Sequence, residues 1–257
     1  MPRALLILIV AAALSFSPDV IGQPEVAALS PIRVPGELAG RWVLVQTTTT
    51  VSRVVSIGRV RTTTRAVMFY DLEDDGSSLN GHGTLCEVDV QTGSPFVYTE
   101  LPSALVRVLN APVLSASVDA AGTFLQPRSY SVLGVELDDP RVDELPQEPD
   151  DPRVIDCDGD GNPGGTVRIS GIVSGEVYVA QRSWSELEGR VTSPDTIEGQ
   201  VRFDEDQVIL GASRRILRSG PPTEPDDDPE RNWFRLVRLA DGADCVDALA
   251  YAESLED

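Results

Sequence analysis

Asp156-Cys157-Asp158-Gly159-Asp160-Gly161-Asn162 sets three aspartates at alternate positions, with glycines between them. A short loop of that spacing can fold its carboxylates round one hard cation such as Ca²⁺, because the glycines supply the sharp turns. Asp156, Asp158 and Asp160 would contribute side-chain oxygens and Asn162 a backbone carbonyl. Three carboxylates so close repel one another unless a cation stands among them, so calcium is the expected cofactor and its role is structural. Other chemistry is thin. His82 is the only histidine; its Asn80-Gly81-His82-Gly83 setting reads as a hairpin tip with nothing to orient an imidazole. A zinc site needs several neighbouring His or Cys ligands, and a serine nucleophile elbow needs Gly-x-Ser-x-Gly; the chain has neither. Among the 41 acidic residues no pair is marked out for glycoside hydrolysis. No catalytic residue and no organic-cofactor site is therefore expected. Tyr178, Ala180, Arg182 and Trp184 share one strand face, which core packing explains as well as a ligand site does.

The elements that must position the loop are strands. From Trp42 onward, runs of Val, Thr, Ile, Leu and Tyr alternate with short Gly, Asp, Ser and Pro clusters, the pattern of antiparallel strands and turns. The first hairpin pairs residues 41–55 with 59–72, and each arm carries a threonine run that reads as a solvated sheet face. Residues 101–110 are the one expected short helix. Further strands follow at 115–135, 166–173, 176–192, 196–203, 207–217 and 232–239, with a turn at Asp204-Glu205-Asp206. About ten strands with short links predict an all-β fold. The expected form is an antiparallel meander, closed or partly closed into a barrel, with a β-sandwich as the alternative. Two acidic, Pro-rich inserts interrupt it, at 138–164 and 219–231, and their composition disfavours strand and helix alike. Four strands between the metal loop and the second insert would return the chain to the same end, placing both at one rim. The predicted organisation is a signal peptide at 1–22, a linker at 23–37, one β-domain at 38–250 and a tail at 251–257.

The loop resembles the calcium loops of EF-hands at its first, third, fifth, sixth and seventh positions, but the twelfth, normally a bidentate Glu, is Val167. A strand-like Thr166-Val167-Arg168-Ile169-Ser170 follows in place of a helix. It is closer to the loops that precede strands in integrin-type propeller blades and thrombospondin type 3 repeats, although the ninth position, usually Asp there, is Gly164. Asp150 and Asp151 are the nearest acids to complete the shell, and the implied affinity is of extracellular range, on the order of 10⁻⁴ to 10⁻³ M. Leu38-Ala39-Gly40-Arg41-Trp42 resembles the Gly-x-Trp start of lipocalins and related calycin barrels. The resemblance implies a Trp closing one barrel end beneath an Arg of the last strand, here Arg235 or Arg238. Together the two motifs resemble those of uncharacterised secreted bacterial β-proteins, which implies no particular activity.

Arg3, the apolar run 5–14 and the small residues after it have the form of a secretory signal, with cleavage after Gly22, and the run is too short to span a bilayer. A periplasmic or extracellular protein is expected, not membrane-spanning after cleavage. The formal charge of −20 repels nucleic acid. All 21 basic residues are arginine, a compositional bias. Of the three cysteines, Cys86, Cys157 and Cys245, any two can pair in an oxidising compartment. Cys86 with Cys245 is favoured, since Cys157 lies within the metal loop. The expected function is non-enzymatic binding of a small apolar or sugar ligand, or of another envelope component. The alternatives are a purely structural or surface-interaction protein with no cavity, and a hydrolase using paired carboxyls. An open, ligand-lined barrel interior would favour the first and a filled core the second.

Overall fold

The computed structural model describes residues 36–54, 58–220 and 222–255. The expected signal peptide at 1–22, all but the end of the linker, the tip of the first hairpin at 55–57 and the last two residues of the tail lie outside these. The chain forms β1 (Gly40–Val54), β2 (Gly58–Asp74), β3 (Ser78–Thr92), β4 (Val97–Glu100), helix α1 (Ser103–Val106), β5 (Leu114–Val118) and β6 (Thr123–Leu133). After the first acidic insert come β7 (Gly165–Gly171), β8 (Gly175–Ser193), β9 (Thr196–Ala212), β10 (Thr223–Pro225), β11 (Trp233–Arg238) and helix α2 (Cys245–Glu253). Eight strands make a ring in the order β1, β2, β3, β5, β6, β8, β9, β11 and back to β1, every pairing antiparallel. Chain order is kept round the ring, as in a meander. β4 and β7 pair with each other and extend from β8, while β10 lies along β1.

Alternation along β1 explains the ring. Trp42 and Leu44 face inward with Tyr70, Met68, Leu79, Phe124, Leu187, Ile197, Phe234 and Leu236, a cluster that fills one end. Val43 and Val45 face outward and are equally buried, because α2 lays Ala248 and Ala252 over them and over Val67. The unbroken apolar run Trp42-Val43-Leu44-Val45 is therefore a strand covered on both faces.

Several expectations are corrected. His82 lies within β3 opposite Asp71, not at a hairpin tip. The turn falls earlier, where the Asp75 carboxylate accepts the N–H groups of Ser77 and Ser78 and Gly76 takes φ +95°. Gly81 and Gly83 serve packing: a Cβ at Gly83 would stand 2.5 Å from the Tyr70 ring. Asp204-Glu205-Asp206 is also strand, held by pairing with Trp184, Ser183 and Arg182 of β8, and Arg182 binds the Asp206 carboxylate. Three strands, not four, thus separate the metal loop from the second insert, and the parity that put both at one rim fails. That insert supplies β10 and a 3-10 turn at Pro229–Arg231, despite its composition.

The threonine runs are partly exposed on both faces, apart from Thr49. Thr48, Thr50, Thr62 and Thr64 share the inward register of Trp42 and Tyr70. Thr49 points outward but is 1% exposed, bonding Asn232 and Thr63. α1 lies within the expected 101–110 helix. The second helix, α2, was not expected; it crosses the anticipated 250/251 boundary and starts at a capping box of Asp244 and Asp247.

Candidate functional site

The first insert packs on the outside of the ring. Val135, Leu145 and Val154 cluster with Ala180, Val208 and Leu210 of β8 and β9. Arg182 donates to the carbonyls of Pro140 and Asp143. Of the Tyr178 to Trp184 stripe, Ala180 and Arg182 are thus packing residues for the insert. Trp184 lies beneath Arg128, whose guanidinium carbon is 3.9 Å from the ring centre.

The insert ends in the aspartate loop, which a bridge between Asp156 and Gly164 ties into β7. Gly159 and Gly161 take φ +72° and +88°, in the left-handed region where glycine carries no steric penalty. Asp156 accepts the N–H groups of Gly159, Asp160 and Gly161. Asp160 accepts the Asn162 N–H and side-chain amide and the Thr166 hydroxyl. Burial pushes the Asp160 carboxyl up, but these donors outweigh it and hold it below the usual range. Asp158 Oδ2 accepts the Thr166 N–H at 2.9 Å, while its Oδ1 is shut off from water with no partner.

Oxygens of Asp156, Asp158 and Asp160 come within 4.8 Å of one another. A buried carboxylate oxygen lacking any donor is what a cation between the three would satisfy, so the residues present fit a hard divalent ion. Asp150 and Asp151 are not brought to the cluster; Asp151 is taken by Arg153 at 2.8 Å. Thr166, which anchors two of the aspartates, escaped the sequence reading, since a threonine opening a strand carries no signal of its own.

Cys86 and Cys245 form a disulfide with Cα atoms 5.4 Å apart, and Cys157 is a free thiol. Cys86 is the extra residue of a bulge in β3, since Val67 pairs with Glu87 and Met68 with Leu85. At the filled end of the ring, Arg238 stacks 4.6 Å over Trp42, while Arg235 pairs with Glu198.

Away from the filled end the inner face changes character. Gln181, Ser183 and Ser185 of β8 stand opposite Gln207, Glu205 and Phe203 of β9, in the inward register of Leu187 and Val201. Ser129 and Ser131 of β6 continue the row. All remain at least partly exposed although they face into the ring, so solvent enters this half. Glu205 accepts from the Gln181 amide at 3.2 Å. It is the one carboxyl in the inward register of β8 and β9. Burial, and secondarily the Asp204 charge, push its pKa up. A cleft of about 760 Å³ between β3 and β4 is lined by Val88, Val90 and Thr92 of the inner face, with Tyr98 and Glu100.

A raised carboxyl has a definite linkage sign. Folded Glu205 holds its proton to higher pH than the unfolded chain does. Its ionisation therefore removes stability as pH rises from the ordinary carboxyl value through the raised one. Glu205→Gln should be more stable than the parent at pH 7 and no different at pH 4, measured by urea unfolding at both. Equal stability at pH 7 would contradict a desolvated Glu205.

The fold and these sites define an all-β protein built on an antiparallel ring of eight strands. No protein-family model, curated protein or solved structure matches the chain. No helix among the described residues is long and apolar enough to cross a membrane.

Proposed function

We propose that this is an exported, non-enzymatic binding protein that holds a small ligand in the open half of its ring, with a calcium-braced loop on the outer wall. The observation that supports binding is the inner face at Gln181–Ser185 and Phe203–Gln207, polar and solvent-reached where the opposite end is filled with side chains. A protein with no ligand would gain stability by filling that half too. Across β8 and β9 Glu205 faces no second carboxyl, the pairing that acid–base hydrolysis requires. Export is supported by the form of residues 1–22, and a charge of −20 argues against a nucleic-acid partner. Amide NMR with a library of small polar, charged and apolar fragments tests the binding role. Shifts should gather on residues 181–185, 203–207 and 129–133; a library that leaves these unmoved rejects it.

Calcium has its own test. At about 5 mM calcium and a Kd of 10⁻⁴ to 10⁻³ M, linkage gives about 1–2 kcal/mol, or about 3–6 °C in Tm. Asp158→Ala should remove that response, and without calcium should cost only the bond to the Thr166 N–H, about 1 kcal/mol. A parent and variant that respond alike to calcium and to chelator would place the ion elsewhere.

A further inference from the structure

The groups that line the open half specify the chemistry of what enters it. Ser183, Ser185, Gln181, Gln207 and Ser129 offer hydroxyls and amides, each able to donate and to accept. Phe203 packs against the filled end with part of its surface uncovered, so an apolar side chain lies below that polar wall. Gln126 stands on the same face below Ser129, opposite Leu187. It is 3% exposed, and its amide oxygen has no partner. Resting on the binding role proposed above, we infer that this recess takes a neutral, polyhydroxylated ligand of the carbohydrate class.

The choice among ligand classes follows from what each would leave unpaired. An apolar occupant would strip water from the amides, hydroxyls and carboxyl at about 1–3 kcal/mol for each group left unsatisfied. An anion would meet Glu205 with no basic side chain in the inward register of β8 and β9 to compensate. A ring of hydroxyls supplies donors to Glu205 and acceptors to the serines, while its C–H surface lies against Phe203. Glu205 has one oxygen engaged by Gln181, leaving the other to accept from a ligand hydroxyl. A carboxylate in a partly dry site accepts more strongly than one in water.

Saturation-transfer NMR on the purified protein decides the matter, using methyl glucoside, methyl galactoside and N-acetylglucosamine beside the neutral apolar probe N-phenyl-1-naphthylamine. At least one sugar should receive saturation. Glu205→Ala should weaken it about tenfold, the effect of one lost charge-assisted bond. Ser183→Trp, which fills the recess, should abolish it; Gln181→Leu provides a second, smaller change should the tryptophan variant fold poorly. If the naphthylamine binds in a Ser183-dependent way and no sugar does, the ligand class is wrong while the binding role stands. If neither binds, both fall. Sugar binding undiminished by Ser183→Trp and Gln181→Leu would overturn the assignment to this recess.

Discussion

Replacing Cys86 and Cys245 together by serine should lower stability by about 4 kcal/mol, one of the two largest effects expected from changes at single contacts. The bond joins residues 159 apart in sequence. Closing so long a loop removes about 5 kcal/mol of chain entropy from the unfolded state, less whatever structure that state retains. In the folded protein the bond fastens α2 to a bulge of β3, and α2 spans only 245–253. A helix that short has no stability of its own and depends on docking. Ala248 and Ala252 do that docking over Val43, Val45 and Val67, but alanines bury little area. The double variant should therefore show a lower urea midpoint and faster hydrogen exchange in α2 and along β1. Cys157→Ser should leave both unchanged, since that thiol donates one weak bond to the Gly164 carbonyl at 3.4 Å, which a serine hydroxyl can keep. A loss under 1 kcal/mol would mean that the unfolded chain already holds these ends together.

Strand content and the first hairpin were legible because alternation and β-branching report a pleated, half-buried surface directly. Where the structure departs from the sequence pattern, a distant contact governs what local composition suggests. Gly81 and Gly83 read as a turn, yet they are glycine because Tyr70 and Leu72 of the neighbouring strand press on them. Asp204 and Asp206 read as a turn because acids crowd there, yet the strand keeps them on its outer face. α2 carried a readable start in Asp244 and Asp247, but its apolar face of alanines is too weak for a periodicity test.

The aspartate loop shows the same division. Its three carboxylates and two glycines were visible from spacing alone, and the structure gathers them. The supporting parts were not visible. Thr166 grips Asp158 and Asp160 from the next strand, and Val135, Leu145 and Val154 anchor the insert although acidic residues surround them. The insert thus buries apolar surface of its own, and calcium, where bound, adds to an anchorage already present. The polar row on the inner face had no sequence signal, because its Ser, Gln and Glu face one another only when three strands bring them together.

The other large effect is expected at the filled end. Arg238→Ala should cost about 3 kcal/mol, whereas Arg235→Ala, three residues earlier on the same strand, should cost less than about 1 kcal/mol. The sequence could not choose between these arginines; their surroundings do. Arg238 lies over Trp42, which is fully buried and donates its indole N–H to the Leu38 carbonyl at 3.0 Å. Its guanidinium also donates to the carbonyls of Glu37, Ala39 and Pro194 and to the Asp195 carboxylate at 2.7 Å. One side chain thus joins the entry to β1, the β8–β9 turn and the end of β11. Removing it uncovers the Trp42 ring and releases three carbonyls, of which water can recover some. Arg235 meets only Glu198, in a pair whose side chains are 40% and 41% exposed, where solvent screens most of the attraction. Arg238→Lys should restore little, because an ammonium cannot both lie flat on the indole and reach four acceptors. Urea unfolding of the three variants measures the contrast. Equal losses at 235 and 238 would show that the stack over Trp42 does not hold the end of the ring closed.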